Sequence, residues 1–115
     1  MNASALRQKF LALAGNLKRA TVTVPELGTV TVRELDGHAR ASIETAMLKK
    51  ENDGLWKLTL IARSVIDPDT GLVVFDDADL DALGKLPARV LDPLFVAAFK
   101  LSGMGEAGVE DAQGN

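Results

Sequence analysis

The chain has 115 residues, 47% of them hydrophobic and 25% charged. That composition is close to the globular average, which excludes wholesale disorder and fits one domain able to bury a core without staples. It has no Cys and one His, which excludes a structural zinc site of Cys/His type and thiol redox chemistry. A net charge of −3 and a pI of about 5.1 argue against a nucleic-acid binder. The charge is unevenly spread. Residues 1–57 carry nine Lys/Arg and six Asp/Glu, whereas residues 58–115 carry four and ten. Such a bipolar chain favours head-to-tail self-association, although two ordinary solvated faces have the same composition.

At the N-terminus, Arg7 and Lys9 precede a five-residue apolar run, Phe10 to Ala14. The h-region of a secretion signal needs roughly 7–15 residues, so an amphipathic helix and a cytoplasmic location are expected instead. Ser4 is the expected N-cap of a helix over about residues 5–15, with Leu6, Phe10, Leu13 and Leu17 at helical spacing and Gly15-Asn16 closing it. Thr21-Val22-Thr23-Val24 and Thr29-Val30-Thr31-Val32 alternate with period two around Pro25-Glu26-Leu27-Gly28. This is a β-hairpin with valines on one face and threonines on the other. Two strands with one apolar face are unstable alone, so helices must cover the valines.

Asp36 or Gly37 starts a second helix over about 38–50, with Ala39, Ile43, Ala46 and Met47 or Leu48 inward; Asn52-Asp53-Gly54 breaks it. Leu55 to Ile66 follows as a helix with Leu55, Leu58, Ala62 and Val65 in one stripe, and its β-branched residues make a strand the competing assignment. Asp67 to Gly71 is a turn, and Leu72 to Phe75 is a short apolar stretch suited to a strand. Asp76 or Asp77 caps a short helix ending near Gly84. Pro87 opens a last helix over about 87–102, in which Pro93 either kinks the helix or marks its first turn. Gly103 ends it. Residues 1–103 are expected as one α+β domain, a two-stranded hairpin packed on four or five helices, and 104–115 as a flexible tail. The longest uncharged apolar run, Leu94 to Phe99, cannot span a bilayer.

Chemistry is sparse. His38 has Ser42 one helical turn on and Glu34 and Asp36 nearby, but no nucleophile-elbow pattern accompanies them. An exposed His at a helix start accounts for it. Asp67, Asp69 and Gly71 resemble the opening of a calcium loop. The Gly required at position six is Leu72 and the Glu required at position twelve is Ala78, so the match fails. Asp76, Asp77, Asp79 and Asp81 are a set that a hard cation could use, but helix capping and the helix dipole account for the first three without a metal. Gly28, Gly37 and Gly54 form no phosphate-binding fingerprint. Lys18-Arg19 and Lys49-Lys50 are isolated, and aromatics are 4% with no Tyr, so stacking platforms for nucleic acid are scarce. The apolar surplus is more informative. Trp56, Phe95, Phe99, Leu101 and Met104 continue an apolar surface almost to the tail. Ordinary core accounts for each alone; as a group they are the candidate partner-binding or oligomer surface.

The order of segments carries a resemblance. Residues 21–35, Thr-Val-Thr-Val-Pro-Glu-Leu-Gly-Thr-Val-Thr-Val-Arg-Glu-Leu, precede a helix. A second helix ends in Ala62-Arg63-Ser64-Val65-Ile66-Asp67-Pro68-Asp69-Thr70-Gly71. Then come Val74-Phe75-Asp76-Asp77-Ala78-Asp79-Leu80-Asp81-Ala82-Leu83 and a terminal helix from Pro87 to Leu101. Over residues 18–103 this resembles the tail assembly chaperones of long-tailed, lambda-like phages. The resemblance implies a small mixed α and β protein without catalytic activity or cofactor that binds the aggregation-prone tape-measure protein during tail assembly. It also implies a longer form, made by translational frameshifting, that recruits the tail-tube subunit; the chain from Met104 fits the place where such an extension leaves the domain. A homo-oligomer is expected from the bipolar charge and the apolar last helix. The other reading is a structural component of a virion or other multiprotein particle.

Overall fold

The computed structural model describes residues 2–49 and 54–104. In chain order the elements are α1 (Ala3–Leu11), β1 (Arg19–Val24), β2 (Gly28–Arg33), α2 (Gly37–Leu48), α3 (Leu55–Ser64), β3 (Val65–Ile66), a 3-10 turn (Asp77–Asp79), α4 (Leu80–Gly84) and α5 (Ala88–Leu101). The α+β class and the five helices are as expected from the sequence. The sheet has three strands rather than two, in the order β1-β2-β3.

The hairpin follows its pattern. Val22 lies opposite Val30 and Thr21 opposite Thr31, which puts valines and threonines on opposite faces. Its turn has Pro25 in second place and Glu26 at φ 74 in third, and the Leu27 amide donates to the Val24 carbonyl at 3.1 Å. A third residue at positive φ is the type II geometry, usually met by Gly. Glu26 is held there with its carboxylate 2.8 Å from the Arg89 guanidinium on α5, which ties the turn to the last helix.

The helix expected to reach Ile66 stops at Ser64, because Val65 and Ile66 pair with Val32 and Thr31 of β2. Both are β-branched and fully inside, so pairing satisfies their backbone where a helix end would leave carbonyls orphaned. A strand this short also has a local cause for ending. Two more residues in this register would set Pro68 opposite Thr29, where an N–H is needed and Pro has none. The chain turns at residues 67–71 instead, and Val73 bridges back to Ile66.

The sheet's valine face is covered by α3 and α5. Val24, Val32, Ile61, Val65, Val90 and Leu94 form one buried cluster there. Ile43, Leu60 and Ala98 form a second where α2, α3 and α5 meet. Several expected inward residues are not inward. On α3 the buried face is Thr59 to Ala62 and Ser64, while Leu55 is exposed and Leu58 half-buried. The cause is that α3 lies among α2, α4, α5 and β3, so a wider and rotated face is covered. On α2, Ile43 is fully buried but Met47 and Leu48 are exposed. The first helix is capped by Asn2, whose side chain accepts from the Ala5 amide at 2.7 Å, not by Ser4. None of its residues is buried, and Leu13 lies beyond its end. Asp36 caps α2 as expected, accepting from the Ala39 amide at 2.8 Å. Asp76 and Asp79 make a reciprocal capping box before α4. Asn52 and Asp53 lie outside the described residues, but Gly54, at φ 85, stands at the start of α3.

Pro93 sits inside α5 without ending it, and leaves the Arg89 carbonyl without its i+4 amide. The helix closes in a Schellman motif: the Met104 amide donates to the Phe99 carbonyl at 3.1 Å, and the Gly103 amide to the Lys100 carbonyl at 3.0 Å. Gly103 takes φ 69 there. The Ser102 hydroxyl accepts from the Leu35 amide at 3.1 Å, and the Ser102 carbonyl accepts from Arg40 at 2.8 Å. The end of α5 is therefore stitched to the β2–α2 junction. Open space surrounds Gly103, so Gly103→Ala is strained by conformation alone. It should lower stability by about 1 kcal/mol in a urea titration, with an unchanged m-value. Met104 thus belongs to the packed helix end. Residues 105–115, the rest of the expected tail, lie outside the described residues.

Candidate functional site

Phe95 and Phe99 are one turn apart on α5, so their rings share a face, with centroids 5.4 Å apart. Trp56, in the first turn of α3, meets both. Its ring lies edge-on to Phe95 at 5.6 Å and tilted to Phe99 at 6.3 Å. The α5 cap folds Met104 onto the same group, and Leu35 enters from the β2–α2 junction. Beneath them lie Ile43, Leu60 and Ala98, all fully buried. The Lys57 ammonium stands 5.9 Å from the Trp56 ring centre and 5.5 Å from that of Phe95. At those distances a cation is held over aromatic faces while its head stays hydrated.

Four of the five residues singled out from the sequence, Trp56, Phe95, Phe99 and Met104, therefore come together. Leu101 does not join them: it packs against the valine cluster. The four are half-buried, neither interior nor open. A rigid apolar floor with a half-exposed aromatic lid and one cation at its edge suits the apolar anchor of a partner. It offers no group suited to bond making.

The other candidates do not assemble into a reacting site. His38 and Ser42 are both exposed and line, with Asp36, Arg33 and Arg63, a shallow open depression of about 310 Å³. The Asp36 carboxylate, the expected orienting group, is engaged by the Ala39 amide. Asp77 is paired with Arg63 at 2.7 Å and Asp81 with Lys85 at 3.2 Å. Among the described residues no three carboxylates or His are close enough to hold a metal ion. No helix among them is long and apolar enough to cross a membrane.

The apolar residues read at helical spacing on the first helix lie outside the core. Phe10 is 67% and Leu13 61% exposed, and Leu6 and Leu11 are exposed with them. Arg7 and Lys9 on the same helix make no ion pair among the described residues. Leu27, Leu72 and Val74 are likewise exposed.

The chain superposes on the structure of the bacteriophage HK97 tail assembly chaperone with a TM-score of 0.67 and 22% identity, over 87% of this chain and 95% of that one. The resemblance read from the sequence thus holds in the fold, which the two proteins share over nearly their whole described lengths. No family model matches the sequence, and no curated protein matches it.

Proposed function

We propose that this protein is a non-enzymatic phage tail assembly chaperone that binds the tape-measure protein in the host cytoplasm. The observation that carries this reading is the fold shared with the HK97 chaperone across almost all of both chains. The half-exposed aromatic group supports it. A chaperone of a long helical client needs apolar anchors on a rigid floor and enough charge to stay soluble. Trp56, Phe95, Phe99 and Met104 are the proposed client contacts, with Leu101 holding α5 against the sheet behind them. Self-association is part of the proposal, supported by the uneven charge and by the uncovered apolar residues of α1. So is a longer, frameshifted form that recruits the tail-tube protein. Sequencing the gene past Gly103 tests it, and the lack of an overlapping frame rejects it.

The test of the central reading is affinity purification of the tagged protein from phage-producing cells, with mass spectrometry of what comes along. A very long, helix-rich phage protein is the expected companion. The competing reading, a component of the finished particle, predicts the protein in purified virions, where a chaperone is absent. His38→Ala and, separately, Asp77→Asn with Asp79→Asn should leave tail assembly within about twofold of normal, since His38 and Asp77 are exposed, the half-buried Asp79 makes one cap hydrogen bond that Asn retains, and each group contributes at most about 1 kcal/mol to stability. Loss of assembly with the fold intact would favour an enzyme.

A further inference from the structure

The early end of β3 leaves a gap in the sheet. β3 pairs with Thr31 and Val32 of β2, so among the described residues Gly28 to Val30 have no strand partner on that side. The ladder alternates: the Glu34 amide donates to the Lys18 carbonyl, which makes Ala20–Val32 and Val22–Val30 the bonded pairs with β1. The Thr29 amide and carbonyl therefore point away from β1, into the gap, and Thr29 is exposed. The gap is a notch of about 470 Å³ walled by Leu27, Val30, Pro68, Val74 and Phe75, with the buried Leu94 as its floor. Leu27 is 63% and Val74 53% exposed on its rim.

The charge around it is mainly acidic, with Arg19 the exception. Asp67 lines the notch. Between Ile66 and Lys85 the chain carries six Asp and no Lys or Arg. Asp67, Asp69, Asp76 and Asp79 make no ion pair among the described residues. The cation nearest this turn, Arg19, is engaged at the Pro68 carbonyl, 3.3 Å away.

We infer that this notch receives an extended segment of a partner protein in which aliphatic residues alternate with Lys or Arg. Its backbone completes the β2 edge at Thr29, continuing the line of β3. One aliphatic side chain fills the space over Leu94, and the basic residues face Asp67 and Asp69. Each feature selects for part of this description. An unpaired strand edge takes backbone, which a helix cannot offer. The apolar floor takes an aliphatic side chain, and an acidic rim takes a cation. The inference does not rest on the role proposed for the aromatic group, which lies on α3 and the C-terminal half of α5.

The probe is a fluorescein-labelled hexapeptide alternating Lys with Val and Leu, read by anisotropy against the full chain, with the Glu-substituted peptide as comparison. The Lys peptide should bind, the Glu peptide at least tenfold more weakly, and affinity should fall as salt rises. Thr29→Pro removes the edge amide and Val74→Ser removes a wall; each should weaken binding about tenfold. Val74 is exposed, so that variant keeps the fold if Thr29→Pro does not. Asp67→Asn with Asp69→Asn keeps the turn's side-chain acceptors and should weaken binding two- to fivefold. Trp56→Ala should leave peptide binding unchanged, even if it abolishes client binding. The inference is overturned if the Lys peptide does not bind, or if Val74→Ser leaves its binding intact. Loss on Thr21→Pro without loss on Val74→Ser, which would put the peptide on the β1 edge, also overturns it.

Discussion

Leu60→Ala should be the most destabilising single truncation, lowering the free energy of unfolding by about 2–5 kcal/mol. Leu60 is fully buried in the cluster where α2, α3 and α5 meet, with Ile43 and Ala98 beside it. Those two neighbours cannot close the hole, since Ala98 has no reach and Ile43 is fixed by a stiff β-branched rotamer. The cost therefore combines lost transfer energy with a persisting cavity. Against a total of about 5–15 kcal/mol for a small domain, it removes a large share. Urea titration should show a lower midpoint with an unchanged slope. The same change at the exposed Leu72 should fall within about 0.5 kcal/mol of wild type. A Leu60→Ala midpoint indistinguishable from wild type would mean that the three helices do not share one packed core.

Different parts of this fold left different traces in the sequence. The hairpin was readable because period-two alternation and a Pro-to-Gly turn are local signals that agree. The α2 cap was readable for the same reason, as Asp36 sits just before the first periodic residue. The third strand was not. Leu55 to Ile66 reads as one continuous pattern, and what divides it after Ser64 is the presence of β2 alongside, a tertiary fact. Pro68 hinted at where the strand must end, but not that a strand existed. The outward position of α1 was hidden too. A helical stripe says which face is apolar and not whether anything covers it. The candidate surface was half legible. Phe95 and Phe99 share a face by spacing alone. Leu101, two residues past Phe99, is about 200° further around the helix, which already separates it from them. Trp56 and Met104 reach the group by routes the spacing does not encode: the α3–α5 packing for one, the Schellman cap for the other.

Trp56→Ala should reduce affinity for the proposed tape-measure client at least tenfold while leaving the protein folded. The ring joins Phe95 and Phe99 from a different helix, so its loss opens the group from one side and leaves Leu60 and Ala98 in place. Half-exposed aromatics over a rigid floor are where binding energy concentrates, and truncating one typically costs about 2 kcal/mol or more of association. The stability cost should be smaller than for Leu60, because the side chain is already partly hydrated in the free protein. Trp56 is also the sole Trp of the chain, so its emission reports on the same surface. Client binding should shift that emission to the blue as water is displaced, and a Phe99→Ala variant should weaken both the shift and the affinity. Lys57→Gln removes the cation held over the two rings and should alter affinity by less than threefold, since an exposed cation–π contact is worth only about 0.5–1 kcal/mol. If Trp56→Ala binds the client as wild type does and the emission does not move on binding, the proposed client sits elsewhere on this protein. The exposed face of α1, with Leu6, Phe10, Leu11 and Leu13 uncovered, then becomes the surface to test.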